Sequence, residues 1–287
     1  MTKVAPFQAL ACPLDGDPLS NRGASWVCPR GHSFDVARQG YVHLLPVQNK
    51  RSLDPGDSRA MVLARQRFLN AGHYQPIADA LSNAVVAGAP ADHPLSCLDA
   101  GCGEGYYLRQ LADGFSRPEL SLLGLDISKW AVQAAARQSG PDRNERPAWV
   151  VGSNANLPVL TGTLDRVLCV FGFPVYPEFA RLLRPGGQLI QVDAGPDHLR
   201  ELREIIYPEL KPERPDSRIT PAGFIAGNQE EIRFTCSLTG AGQVADLLAM
   251  TPHLYRASAE GRARAAALNG LTVTVDVRLQ CFGRTHD

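Results

Sequence analysis

Between Leu95 and Gln280, short apolar runs alternate with stretches whose apolar residues return at helical spacing. Runs of four to eight apolar residues bounded by turn signals read as buried strands, and a 3.6-residue period reads as helix. The pattern predicts strands at Cys97–Asp99, Leu120–Asp126, Ala148–Gly152, Arg166–Phe171, Gln188–Asp193, Glu231–Leu238 and Leu271–Gln280. It predicts helices at Tyr106–Leu111, Lys129–Gln138, Pro177–Leu183, His198–Tyr207 and Ala241–Met250. Strictly alternating elements of this kind imply an α/β fold with a mostly parallel sheet of seven strands and helices on both faces. Leu271, Val273, Val275, Val277 and Leu279 give the last strand a period of two, which suits an antiparallel pairing near one edge.

The chain ahead of this region has a different character. From Arg59 to about Ala87 the apolar residues keep helical spacing with a break at Gly72 and Pro76, predicting two consecutive helices. Residues 47–58 form a polar linker. Residues 1–46 are rich in Cys, Pro, Gly and aromatics with short candidate strands at Ser25–Cys28 and Tyr41–Leu45, as in a small module that needs a staple. The expected division is a module over 1–46, a linker and helical connector over 47–90 and a main domain over 91–287.

At 287 residues and 44% hydrophobic content, the chain is long enough for one large domain and an appendage. Formal net charge is zero, yet the first 74 residues carry nine Lys and Arg against five Asp, so the front is basic and the remainder acidic. Such an asymmetry suits a polyanionic partner for the N-terminal part, and it equally suits plain surface solvation. Seven scattered cysteines, odd in number, read as reduced thiols and not as a disulfide framework. No run approaches the ~20 apolar residues of a membrane span, and the N-terminus lacks a signal-peptide core. A cytoplasmic protein with no membrane partner is expected.

Leu98-Asp99-Ala100-Gly101-Cys102-Gly103-Glu104-Gly105-Tyr106-Tyr107 follows a strand and opens a helix. Glycines there let the backbone turn sharply and pass close to a ligand. Dinucleotide sites use G-x-G-x-x-G to seat a pyrophosphate, whereas this spacing is G-x-G-x-G with a carboxylate two residues upstream. An acid in that place disfavours phosphate and favours a cation. S-adenosyl-L-methionine (SAM) offers one, so Asp99 can face its amino-acid end. Asp126 closes the next strand where a carboxylate takes a ribose diol, and Ser153 and Asn154 end the third beside an adenine edge. Asp99, Gly101, Gly103, Glu104, Gly105, Tyr106, Asp126, Ser153 and Asn154 are the expected cofactor residues, which makes the domain a class I, Rossmann-like SAM-dependent methyltransferase. The same glycines in isolation would be only a tight turn, and Asp126 only a helix cap.

Several further segments resemble the RlmA family of 23S ribosomal RNA (guanine-N1)-methyltransferases. They are Cys12-Pro13-Leu14, Cys28-Pro29-x-x-His32-x-Phe34-Asp35, Gly40-Tyr41-Val42-x-Leu44-Leu45-Pro46 and Lys50-Arg51-x-x-Asp54-Pro55-Gly56-Asp57-Ser58. Gly72-His73-Tyr74-Gln75-Pro76, Gly195-Pro196-x-His198-Leu199 and Met250-Thr251-Pro252 continue the match almost to the end of the chain. The resemblance implies a SAM-dependent domain behind a zinc-ribbon-like, RNA-binding module, with a 23S ribosomal RNA hairpin as partner and rRNA processing as the role. It implies zinc on Cys12, Cys28, His32 and a fourth position where this chain has Asp15 in place of the family's Cys. Carboxylate oxygen ligates zinc, and loss of the metal is the alternative.

After the fourth strand the chain carries Phe171-Gly172-Phe173-Pro174, where the resemblance leads one to expect a small residue and Pro; this loop is the expected wall for the target base. Phosphate contacts are expected from Arg30, Arg38, Lys50, Arg51, Arg59, Arg65 and Arg67. Guanine N1 must lose a proton, and Asp193 and His198 are the candidate bases. The rival readings are a SAM-dependent methyltransferase acting on another RNA or a small molecule, and a catalytically inactive ribosome-binding factor. A homodimer is a further partner expectation.

Overall fold

The computed structural model describes residues 4–46, 48, 52, 54–89, 93–114, 119–140, 146–210 and 220–285. Its first elements are three short strands, β1 (Ser20–Asn21), β2 (Ser25–Val27) and β3 (Ser33–Asp35), paired antiparallel in a small sheet. The next strand, β4 (Tyr41–His43), leaves that sheet. It runs parallel to β7 (Ala148–Val151), with Tyr41 opposite Trp149 and His43 opposite Val151. Two helices follow, α1 (Arg59–Asn70) and α2 (Gln75–Val86), as the apolar spacing predicts. Ser58 caps α1 by accepting the Met61 N–H, and Pro76 occupies the first turn of α2, where its missing N–H is tolerated.

The main domain then alternates as expected. It runs through β5 (Leu95–Ala100), α3 (Tyr106–Gly114), β6 (Leu120–Asp126), α4 (Lys129–Gln138), β7, β8 (Leu164–Val170), α5 (Tyr176–Leu182) and β9 (Leu183–Ala194). It closes with α6 (Arg200–Ile206), β10 (Phe224–Thr239), α7 (Ala241–Ala249), α8 (His253–Arg256), α9 (Ala259–Ala266) and β11 (Gly270–Arg284). The sheet order is β10-β11-β9-β8-β5-β6-β7-β4, with β11 antiparallel to both β9 and β10. Strand order reverses between β5 and β8, and in open parallel sheets ligands bind beyond the carboxyl ends of the strands at that reversal.

Four differences from the sequence-based expectation have physical causes. The sheet has eight strands, because Tyr41–His43 finds its partner in β7 and not in the small N-terminal sheet. Residues 1–46 accordingly lack a core of their own. Phe7, Leu10, Leu19, Trp26, Val42 and Leu44 are buried in one cluster with Leu98, Leu125, Val150 and Val167 of the main sheet. One sheet face is thus covered by α5 and the N-terminal segment, and the other by the remaining larger helices. Helix α6 begins two residues late because Leu199 adopts a left-handed φ of 55°, which places His198 in the turn ahead of it. Finally, α8 is only four residues long and α9 is polar and alanine-rich, so neither offers an apolar stripe for a periodicity search to find.

Buried arginines tie the pieces together through backbone carbonyls. Arg166 donates to Val85 O (3.1 Å) and Ala87 O (2.8 Å), closing the C-terminal end of α2. Arg146 donates to Ala136 O and Gly140 O beyond α4 and to Gln39 O in the turn before β4. No helix among the described residues is long and apolar enough to cross a membrane.

Leu10 is fully buried between the N-terminal segment and the sheet, bridged to Val159. Truncating a leucine in such a site costs about 3 kcal/mol. Leu10→Ala should lower stability by that order in urea denaturation, with the N-terminal segment and the sheet still unfolding in one transition. An unchanged midpoint would show that the segment is only an appendage.

Candidate active site and metal centre

At the strand reversal, the glycine turn joins β5 to α3. The N–H groups of Gly101 and Cys102 both donate to Leu125 O of β6 (2.8 and 2.9 Å). Gly101, Gly103 and Gly105 have φ of 98°, 55° and 81°, a region that side chains disfavour. At Gly105 space forbids a side chain as well, since a Cβ would lie 2.5 Å from Trp149 Cη2. Asp126, at the end of β6, accepts the N–H groups of Gly103 (2.9 Å) and Ser128 (2.8 Å), one on each oxygen. Each oxygen keeps a lone pair for a hydroxyl.

Beneath the turn lies Asp99, only 1% exposed, with neither carboxylate oxygen meeting a hydrogen-bond donor among the described residues. Burial, and secondarily the Asp126 carboxylate, push it up to about 7. An unpaired carboxylate is costly to bury, and arrival of an ammonium group removes that cost. The amide of Asn154 sits nearby, its Nδ2 donating to Ala100 O (3.3 Å) while its buried Oδ1 meets no donor among the described residues. Ser153 Oγ accepts the Ala155 N–H (3.2 Å).

Two of the expected cofactor residues are engaged elsewhere. Glu104 is buried and bonded to Arg109 Nη2 (3.0 Å) and Gln138 Nε2, so it braces the turn against α3 and α4. Tyr106 donates its hydroxyl to Gln75 Oε1 (3.1 Å) on α2. Both side chains thus make bonds within the protein, while the buried Oε1 of Glu104 meets no partner among the described residues.

Beyond β8, Phe171 has a φ of 51°, a strained conformation for a bulky side chain. Its ring stacks on His198 at 5.6 Å between centroids and lies 6.2 Å from Tyr74. Phe173 projects into solvent at 87% exposure, and a Cβ on Gly172 would lie 3.1 Å from Cys169 Sγ, so the backbone at Gly172 lies close against the end of β8.

His198 Nδ1 accepts the Asp276 N–H (3.3 Å), which leaves its proton on Nε2, facing Tyr74 Oη at 3.3 Å. Burial lowers its pKa to about 4. The ring is neutral with its lone pair already used, which removes the general-base role that the sequence suggested for it. Asp193 is different: Gln191 Nε2 donates to its Oδ2 (2.6 Å), Tyr176 Oη donates to Gln191 Oε1 (3.2 Å), and burial raises its pKa.

The expected phosphate-binding cations divide. Arg65 is bonded to Asp57 and to Met250 O, and Arg67 donates to both Asp246 carboxylate oxygens, so both guanidinium groups serve contacts within the chain. Arg30 pairs with Asp17 (3.0 Å). Arg59 lies 6.0 Å above the Trp130 ring, and Arg38 is exposed in the turn before β4. Lys50 and Arg51 lie outside the described residues.

The linker holds contacts that polarity alone did not reveal. Trp130 Nε1 donates to Asp54 Oδ2 (2.7 Å), Ser128 Oγ donates to Asp57 O (2.7 Å), and a Cβ on Gly56 would lie 2.9 Å from Ser128 Cβ. Gly56-Asp57 in the linker was the available signal for this tight docking.

Away from the glycine turn, Cys12, Asp15, Cys28 and His32 bring one ligand atom each within 4.8 Å of one another. His32 Nδ1 lies 2.8 Å from Asp15 Oδ2 and 3.5 Å from Cys12 Sγ, and Cys28 Sγ lies 3.4 Å from both Asp15 Oδ2 and His32 Nδ1. Ligand atoms around a tetrahedral zinc are separated by roughly 3–4 Å. Two sulfurs, a ring nitrogen and a carboxylate oxygen therefore suit one zinc ion, with small side-chain shifts to even out their separations.

A glycine turn, an unpaired acid beneath it, a second acid on β6 and the strand order together define a class I SAM-dependent methyltransferase. Residues 10–53 match the RlmA N-terminal family model, a zinc ribbon, and residues 97–187 match a methyltransferase domain. The chain is 37% identical to the 23S rRNA (guanine(748)-N(1))-methyltransferase of Streptomyces fradiae, over 80% of each chain. It is 35% identical to a protein of Micromonospora griseorubida described as a 23S rRNA (guanine-N(1)-)-methyltransferase, over 94% of this chain and 95% of that one. The chain belongs to the RlmA family of 23S rRNA (guanine-N1)-methyltransferases.

Asp99 yields a pH test. The ammonium requires the ionised carboxylate, and in the ligand-free protein that group titrates near 7. SAM affinity should therefore be full above pH 7 and fall by up to about tenfold per unit below it. Calorimetric titration between about pH 7.5 and about pH 5.5 measures this. Asp99→Asn should bind weakly and without that dependence; a flat profile in the parent protein would exclude Asp99 as the ammonium partner.

Proposed function

We propose that this protein methylates N1 of a guanine in 23S ribosomal RNA, taking the base from a hairpin loop. The observation that carries this reading is the unpartnered Asp99 under the glycine turn, on a sheet whose far edge is the strand contributed by a zinc-ribbon segment. The named relatives support the substrate.

When bound, SAM supplies a methyl group on a sulfonium centre, a good leaving group. Most of the acceleration then comes from orientation. Asp99 holds the ammonium and Asp126 the ribose hydroxyls, with Asn154 Oδ1 open to an exocyclic amine. Phe173, solvent-exposed at the mouth, offers a face on which an unstacked base can lie, while Phe171 is held by His198 and Tyr74. Asp193 receives the N1 proton, positioned by Gln191 and Tyr176. Exposed Arg38 and Arg59 provide phosphate contacts.

In a strain lacking the gene, primer extension on 23S RNA should lose one stop at a guanine, and the purified protein should restore it; an unchanged stop pattern sinks the substrate assignment. Asp193→Asn should lower kcat by about 100-fold. Its rate should then climb with pH as the base ionises unaided. A rate unaffected by the substitution would remove Asp193 from the mechanism.

We further propose that Cys12, Asp15, Cys28 and His32 bind one zinc. Elemental analysis should find one zinc per chain. Asp15→Ala should lose the metal and melt at lower temperature, whereas Asp15→Cys should keep it. Full zinc content in Asp15→Ala would show that the carboxylate is not a ligand.

A further inference from the structure

Helix α8 buries none of its four residues, yet its neighbours fix it in place. Tyr207 Oη, just past α6, lies 2.8 Å from His253 Nδ1, in a ring whose pKa burial lowers. Arg262 of α9 donates through Nη1 to Leu254 O (3.4 Å) and Ala257 O (2.8 Å), closing the C-terminal end of α8. The Tyr255 hydroxyl donates to Met61 Sδ on α1 (3.3 Å). A turn that adds nothing to the core and is still anchored from α1, α6 and α9 serves to present its outer surface.

That surface carries Tyr255 and Arg256. Tyr255 is 67% exposed, which among the large apolar side chains of the described residues only Phe173 exceeds. Its hydroxyl bond to Met61 holds the ring while most of it stays in solvent. Arg256 is exposed and has no acid or carbonyl partner among the described residues. The pair stands beside the cofactor site. A Cβ on Gly103 of the glycine turn would lie 3.5 Å from Arg65 Nη1, and Arg65 Nη2 donates to Met250 O (2.9 Å), shortly before α8. Exposed Arg59 precedes Met61 by two residues on α1.

Charge favours a polyanion here. After residue 74 the chain is acidic as a whole, yet residues 253–266 carry three Arg against one Glu. An exposed aromatic next to an unpaired guanidinium suits an unpaired nucleotide, whose base stacks on the ring while its phosphate takes the cation.

We propose that α8 is an RNA contact outside the zinc-ribbon segment: Tyr255 stacks an unpaired base of the substrate loop other than the target guanine, and Arg256 binds the adjoining phosphate. The inference rests on the ribosomal RNA substrate. It gives the C-terminal helices, which carry no part of the cofactor site, a role in holding the loop.

Stacking needs unpaired bases, so two RNAs test it: a 23S RNA hairpin, and its stem as a plain duplex without the loop. Measured by fluorescence anisotropy on the full chain, Tyr255→Ala should weaken the hairpin by about 10-fold and leave the duplex nearly unchanged. Tyr255→Phe keeps the ring and should recover the hairpin affinity. Arg256→Gln should lower the slope of log affinity against log salt for the hairpin by about one. Comparing two RNAs within one variant cancels any general loosening of the fold. Equal weakening of both RNAs by Tyr255→Ala, or no weakening of the hairpin, overturns the proposal. An oligomer dispersed by Tyr255→Ala with hairpin affinity unchanged would give the patch to a second copy of the chain and overturn it too. Failure of the parent protein to bind either RNA overturns the substrate reading and the inference with it.

Discussion

Leu125 O accepts two N–H groups from the glycine turn, and Asp126 next to it accepts a third. These three bonds press the turn against β6, and the geometry of the site follows from them. Gly105 can come so close to Trp149 only because it has no side chain. The same pressing seals Asp99 away from water with no donor of its own among the described residues, so the site carries a buried negative charge that a cation relieves. The turn is thus both a cover over Asp99 and a wall of the cofactor space.

Charge in the N-terminal part is more committed than its surplus suggests. Arg30, Arg65 and Arg67 each pair with an aspartate. In two of these cases the partner belongs to a different part of the chain, since Asp57 comes from the linker and Asp246 from α7. Arginine suits such contacts because one planar group spans several acceptors. The basic front is therefore partly an internal clamp.

The N-terminal segment illustrates how a small ribbon can become part of a larger fold. Its strands are two or three residues long, too short to bury a core alone. Phe7, Leu10 and Trp26 find that core on the main sheet, and β4 adds itself to the sheet edge. A metal on Cys12, Asp15, Cys28 and His32 would hold one end of the segment while the sheet holds the other.

Elements with strong local patterns were legible without coordinates: α4 spans Lys129–Gln138 and β6 Leu120–Asp126, as their apolar spacing predicts. So were the glycine turn, the acids Asp99 and Asp126 and the convergence of Cys12, Asp15, Cys28 and His32, because each rests on residue types at fixed spacings. What lay beyond the sequence were partnerships set by distant residues. Tyr41–His43 reads as a strand in either sheet, and only the proximity of β7 decides which it joins. His198 reads as a base until the Asp276 N–H takes its lone pair from a strand 78 residues away. Glu104 and Arg65 read as a cofactor ligand and a phosphate contact, and the structure turns one toward Arg109 and lays the other over Gly103. Local spacing determines which chemical groups a chain can present; the long-range packing that satisfies their charges and hydrogen bonds decides which of them remain free to act.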